Sequence, residues 1–154
     1  MTLSVEDVLE DVVVILMNAT SSSFIEEPTI ESDGENGLLK VSLLFTNGNR
    51  LFVSLYIDIS SGFPLWQRYS FQFVDVNGQN IIRFDNAPHY HSLPHFPHHK
   101  HIGLHRIEPT PQPSLRRIVD EIFDYGKGMR PFDLRCFPIG PIHANFNGEL
   151  HFYL

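Results

Sequence analysis

The sequence predicts an α+β fold: a twisted antiparallel meander sheet of four or more strands, with two helices packed on one face and a His/Pro-rich loop. Three observations predict it. Strand-like runs between residues 38 and 84 are joined by three tight connections. An amphipathic stretch stands at each end of that region. A segment dense in proline and histidine interrupts the pattern after residue 85.

The elements follow in chain order. Residues 5–17 place Val5, Val8, Leu9, Val12, Val13 and Leu16 at helical spacing. Ser4 is the expected N-cap, and Glu6 and Asp7 complement the positive end of the helix dipole. Residues 18–23 stop the helix, 24–30 form a short strand, and 32–37 form a polar loop. Residues 38–45 and 50–59 are paired strands around Asn47-Gly48, a strong hairpin signal. Gly62 and Pro64 break the chain again. Residues 65–76 alternate, with Trp66, Arg68, Ser70 and Gln72 set against Leu65, Tyr69, Phe71 and Phe73. Asn77-Gly78 then returns the chain through 79–84.

Prolines at 88, 94, 97, 109, 111 and 113 exclude long regular structure across residues 87–113. Ser114 caps a second helix over 115–125, with Leu115, Ile118, Val119, Ile122 and Phe123 on one face. Gly126 and Gly128 end it. A last strand is expected over 149–153, after Asn147-Gly148.

A length of 154 residues fits a single domain with a core of its own. The single Cys136 excludes an internal disulfide and fits a reducing compartment. No basic leader is visible, and the longest apolar run, residues 12–17, is far short of the ~20 that span a bilayer. These features predict a cytoplasmic protein that enters no membrane. The formal net charge is −7, but it is uneven. All acids of residues 1–38 are unaccompanied by Lys or Arg, whereas the remainder carries a slight excess of base. That distribution excludes a long nucleic-acid groove but leaves room for a compact phosphate site.

Seven of the nine histidines, at 89, 91, 95, 98, 99, 101 and 105, crowd one segment. It begins at the end of a strand, where a rigid sheet holds a loop in place. Three readings of it stand side by side. Metal-free acid–base chemistry on RNA needs a base for the 2′-hydroxyl, an acid for the leaving oxygen and cations around the phosphorus. His89, His98, His99 and His101 offer the first two. Asp85 would orient an imidazole, and Arg83 with Lys100 would hold phosphate. That chemistry needs no cofactor. Alternatively, pairs such as His89/His91 and His99/His101 suit zinc or another transition metal. In the third reading the histidines pack a loop over the sheet, and the chain is a non-enzymatic interaction module. Its acidic first quarter would then meet a basic partner, or an exposed sheet edge would pair across a homodimer.

Four strings carry a resemblance: Arg68-Tyr69-Ser70-Phe71, Asp75 to Gly78, Arg83-Phe84-Asp85-Asn86-Ala87-Pro88-His89, and Phe96-Pro97-His98-His99-Lys100-His101. In this order and spacing the chain resembles the TumE toxin family of prokaryotic toxin–antitoxin systems. The resemblance covers residues 1–125 and makes 126–154 a C-terminal extension. It implies an intracellular toxin acting on RNA or translation and neutralised by a cognate antitoxin. As site residues it implies Arg83, Asp85, Asn86, His89, His98, His99 and His101. The chain departs from the family pattern at Gln72 and Tyr90, where the family tends to carry histidine. It also departs at Ser54-Leu55-Tyr56, where members often carry an acid. If the family chemistry needs those groups, this member is weakened or inactive.

Overall fold

A computed structural model describes residues 3–126 of the chain. The expected turn at Asn147-Gly148, the strand over 149–153, Gly128 and Cys136 lie outside the described residues, as does the extension beyond Gly126.

The elements are α1 (Val5–Thr20), β1 (Ser23–Ser32), β2 (Asn36–Leu44), β3 (Arg50–Asp58), β4 (Leu65–Val74), β5 (Asn80–Asp85), β6 (His99–Ile102), β7 (Arg106–Pro109) and α2 (Leu115–Gly126). The strands form one antiparallel sheet in the order β1-β2-β3-β4-β5-β6-β7. It is the expected meander, extended to seven strands. The added members are β6 and β7, each four residues long, placed between the prolines that exclude longer structure. The His-rich run is therefore a loop in its first half and a strand in its second.

Both hairpin signals act through their glycines. Gly48 and Gly78 have φ of 86° and 82°. Each amide closes a turn, onto the carbonyls of Phe45 and Asp75 respectively. A left-handed residue in a three-residue hairpin loop is best supplied by glycine, which has no Cβ to clash.

Alternation along the strands gives the sheet two different faces. One carries Leu39, Val41, Leu43, Leu51, Val53, Leu55, Ile57, Phe71, Phe73, Ile82 and Phe84, all buried. The apolar stripes of α1 and α2 pack on that face and complete one core. Ser4 caps α1 by accepting from the Asp7 amide, and Ser114 caps α2 by accepting from that of Arg117. Phe71, Phe73 and Phe84 are the largest side chains fully enclosed. Burial of one such side chain is worth about 1.5–3 kcal/mol, so this face dominates the stability.

One local reversal departs from simple alternation. The sequence alternation groups Leu65 with Tyr69, Phe71 and Phe73 and sets Trp66 with Arg68, yet Trp66 is buried with the aromatic group and Leu65 is 39% exposed. The register between β3 and β4 pairs Tyr56 with Arg68 but Ile57 with Trp66, leaving Gln67 as an extra residue. This bulge turns the start of β4 over and puts Trp66 beside Tyr69 and Phe71.

Gly37 sits where α1 crosses β2. A Cβ there would stand 2.8 Å from both Leu9 Cδ1 and Val5 Cγ2, two side chains with no room to move. Gly37→Val is expected to cost about 1–3 kcal/mol through overpacking. Urea unfolding checks this, and an unchanged midpoint would show that α1 does not press on β2 as described.

Candidate functional site

The two helices pack on one face of the sheet; on the other, the loop after β5 lies over the β5–β6 corner, with the His89 and Tyr90 rings against His99. The side chains of this second face fall in two rows across the strands. In one row Ser42, Phe52, Gln72, Arg83 and His101 follow each other through paired positions. In the other, Lys40, Ser54, Ser70, Asp85 and His99 do the same. The strand period of two therefore sends Arg83 and Asp85 of β5, and His99 and His101 of β6, to the same side.

Asp85 joins them. Its side chain is 6% exposed, and its Oδ2 accepts from Arg83 Nε at 2.7 Å. Oδ1 accepts from the Ala87 amide at 3.0 Å, which turns the chain out of β5. His99 Nε2 stands 3.1 Å from Oδ1, and His101 Nε2 stands 3.5 Å from Oδ2. Arg83 also reaches His101, with Nη2 donating to Nε2 at 2.8 Å. A guanidinium cannot accept, so this nitrogen of His101 carries a lone pair and the ring is neutral. Burial first, and the Arg83 charge second, push His101 down to about 4, against the partial pull of Asp85.

His89, on the loop after β5, brings a third imidazole. Its ring centre is 4.7 Å from that of His99 and 6.1 Å from that of His101. Tyr90 adopts a left-handed backbone, φ 59°, and lays its ring edge-on to His89, His99 and His101. Asp85, His89, His99 and His101 each offer a ligand atom within 4.8 Å of the others. The set suits proton transfer, anion binding through Arg83, or ligation of a transition metal.

Three sequence-level candidates lie elsewhere. Lys100 alternates to the helix side, where its Nζ meets Glu121 of α2 at 2.7 Å, with Glu108 at 3.6 Å. It ties α2 to the sheet and does not reach the cluster. His98 Nδ1 lies 2.9 Å from the Tyr69 hydroxyl and its ring stacks on that ring. Burial, then neighbouring His95 and His99, lower the pKa of His98. Burial, reinforced by the Asp85 charge, raises that of Tyr69. Asn86 repairs the β4 bulge: its Oδ1 accepts from the Tyr69 amide and its Nδ2 donates to the Gln67 carbonyl, both at 2.9 Å. Both ends of its amide are therefore engaged in holding the strand end.

Sequence reasoning did not single out Ser70 and Tyr90 as site residues. Ser70 is paired with Asp85, and the signal for it was the β4 alternation read together with the Asn77-Gly78 hairpin. Gln72 is paired with Arg83, so a residue noted as a departure from the family pattern lies beside the cluster. A shallow depression of about 230 Å³ continues from there, lined by Lys40, Ser42, Phe52, Ser54, Ser70 and Gln72, with Glu26 at its far end.

Fold and site together define an α+β meander protein with a histidine-bearing polar site on the sheet face opposite its helices. The family model described as Toxin TumE matches residues 13–129, more than half of the chain and every site residue named above, and the chain belongs to that family. No curated protein and no solved structure matches it. Among the described residues, no helix is long and apolar enough to cross a membrane.

The His101 environment fixes the sign of a pH effect. Its native pKa lies below the ordinary value of 6.5, so between pH 6.5 and about 4 the unfolded chain binds a proton that the native state refuses. Its contribution is intact above pH 6.5 and is lost as the pH falls toward 4. Thermal midpoints at pH 7.5, 6 and 5 should fall more steeply for the wild type than for His101→Gln. Parallel curves would contradict this assignment.

Proposed function

We propose that this chain is the toxin of a toxin–antitoxin pair, that it cuts RNA by metal-independent acid–base chemistry at the Asp85 cluster, and that a cognate antitoxin protein neutralises it. Membership of a toxin family supports the first statement. The observation that carries the second is the arrangement of a part-exposed guanidinium, a neutral imidazole hydrogen-bonded to it and a second imidazole on a loop, all around one buried carboxylate.

The geometry supports the following roles. Arg83 binds the scissile phosphate and stabilises the charge that grows on its oxygens. His101 is already neutral, the state a base requires; when Arg83 moves its Nη2 from His101 Nε2 to the phosphate, the lone pair on that nitrogen is released and takes the proton of the 2′-hydroxyl. The 2′-oxygen attacks phosphorus, and the bond from phosphorus to the 5′-oxygen breaks. His89 gives its proton to that departing oxygen. The products are a 2′,3′-cyclic phosphate and a 5′-hydroxyl. The bound phosphate also offsets the Arg83 charge that holds down the proton affinity of His101, so the base strengthens as substrate arrives. His99 and Asp85 are positioning residues. The adjoining depression offers Ser42, Ser54, Ser70 and Gln72 as hydrogen-bonding groups, and the exposed ring of Phe52 as a platform for a base.

Expression in a bacterial host should arrest growth, and His89→Ala combined with His101→Ala should relieve the arrest. Purified wild-type protein should leave RNA fragments ending in 2′,3′-cyclic phosphate, with the double variant slower by at least about 100-fold. Fragments ending in a 3′-hydroxyl, or equal cleavage by the double variant, would overturn the mechanism.

A further inference from the structure

We propose that Asp85, His89, His99 and His101 form a binding site for one divalent transition-metal ion of the zinc class, and that the ion suppresses RNA cleavage by occupying the imidazoles the reaction uses. The second half rests on the ribonuclease reading; the first does not.

Two independent observations carry the site. The four ligand atoms lie within 4.8 Å of one another, from one carboxylate and three imidazoles. Two ligand atoms each about 2.0–2.1 Å from a tetrahedral zinc stand about 3.3–3.4 Å apart. His99 Nε2 stands 3.1 Å from Asp85 Oδ1 and His101 Nε2 stands 3.5 Å from Asp85 Oδ2, so each imidazole is already near that spacing from one oxygen of the carboxylate. His89 sits on the loop, with a ring nitrogen within 4.8 Å of the other three ligand atoms.

The second observation is His99. Its side chain is 1% exposed. Nδ1 lies 2.8 Å from the Pro97 carbonyl, which can only accept, so Nδ1 carries the proton. That leaves Nε2 aimed into the cluster, off the hydrogen-bond direction to Asp85 and without a hydrogen-bond partner among the described residues. A buried imidazole nitrogen with no partner is costly, and a metal ion is one of the few groups that resolves it. The pairing of one ring nitrogen to a backbone carbonyl while the other faces a cation is how metal-binding histidines are oriented. The carboxylate supplies the charge that a dication needs.

Arg83 is the competitor. It donates to the same His101 nitrogen that the ion would take. With 31% of its side chain exposed, it has solvent to move into when the ion enters. The cluster thus has two exclusive states. In one, Arg83 stays beside the cluster, where it can exchange His101 for a phosphate and leave that imidazole's lone pair free. In the other, the ion holds His89, His99 and His101, and no imidazole has a free lone pair for proton transfer.

The test uses full-length protein without a His tag, stripped with a chelator and dialysed. Calorimetric titration with zinc chloride should show one saturable site. His89→Ala should weaken it by more than about tenfold, and exposed His105→Gln should leave it unchanged. His99→Gln should behave like His89→Ala, but its buried position makes His89 the deciding variant. No saturable binding, or equal binding by His89→Ala, would overturn the site. Zinc should also slow cleavage by the wild type in proportion to occupancy, and cleavage that saturating zinc leaves untouched would overturn the suppression. Zinc binding of the stated pattern in a protein that cuts no RNA would support the site and sink the ribonuclease reading. Cleavage without zinc binding would do the reverse.

Discussion

The carboxylate of Asp85 organises the open face of this protein. A buried charge costs several kcal/mol unless it is paired and hydrogen-bonded. Here the Arg83 guanidinium and the Ala87 amide supply that pairing, and His99 and His101 close around it. The consequence reaches past the site. The Ala87 contact ends β5 and starts the loop that carries His89 and Tyr90. The pairing of Asp85 with Ser70 on one side and His99 on the other sets the register of three strands.

The division of labour between faces follows from the same period-two geometry. On the helix side the sheet is largely apolar, and Lys100 there is spent on Glu121 to fasten α2. On the far side, the residues that alternate with that core include Ser42, Ser54 and Ser70, Gln72, Arg83, Asp85 and the imidazoles of His99 and His101, with Lys40 and Phe52 among them. A rigid, aromatic-rich core thus holds the polar cluster from behind. Such a backing is what a site needs if its groups are to keep fixed separations.

Much of this was legible in the sequence. Both helices, the Asn-Gly hairpins and the buried phenylalanines follow from periodicity and turn chemistry, because each signal there is local. What escaped was non-local. His99 to Ile102 has no apolar alternation of its own, so nothing in those four residues says which histidines share a face with Asp85. Only pairing with β5 decides that His99 and His101 face the site while Lys100 faces the core. The Gln67 bulge, which reverses Leu65 and Trp66, is likewise a property of two strands together. Asn86 looked like a ligand-binding side chain because it sits in a polar string, yet its amide is consumed by the backbone that the bulge exposes.

Growth of cells expressing Asp85→Asn tests the central claim most directly. Asparagine keeps the shape and the Ala87 contact but removes the charge that gathers Arg83 and the imidazoles. The account predicts a variant that still unfolds cooperatively and no longer arrests growth. An arrest as strong as that of the wild type would contradict it.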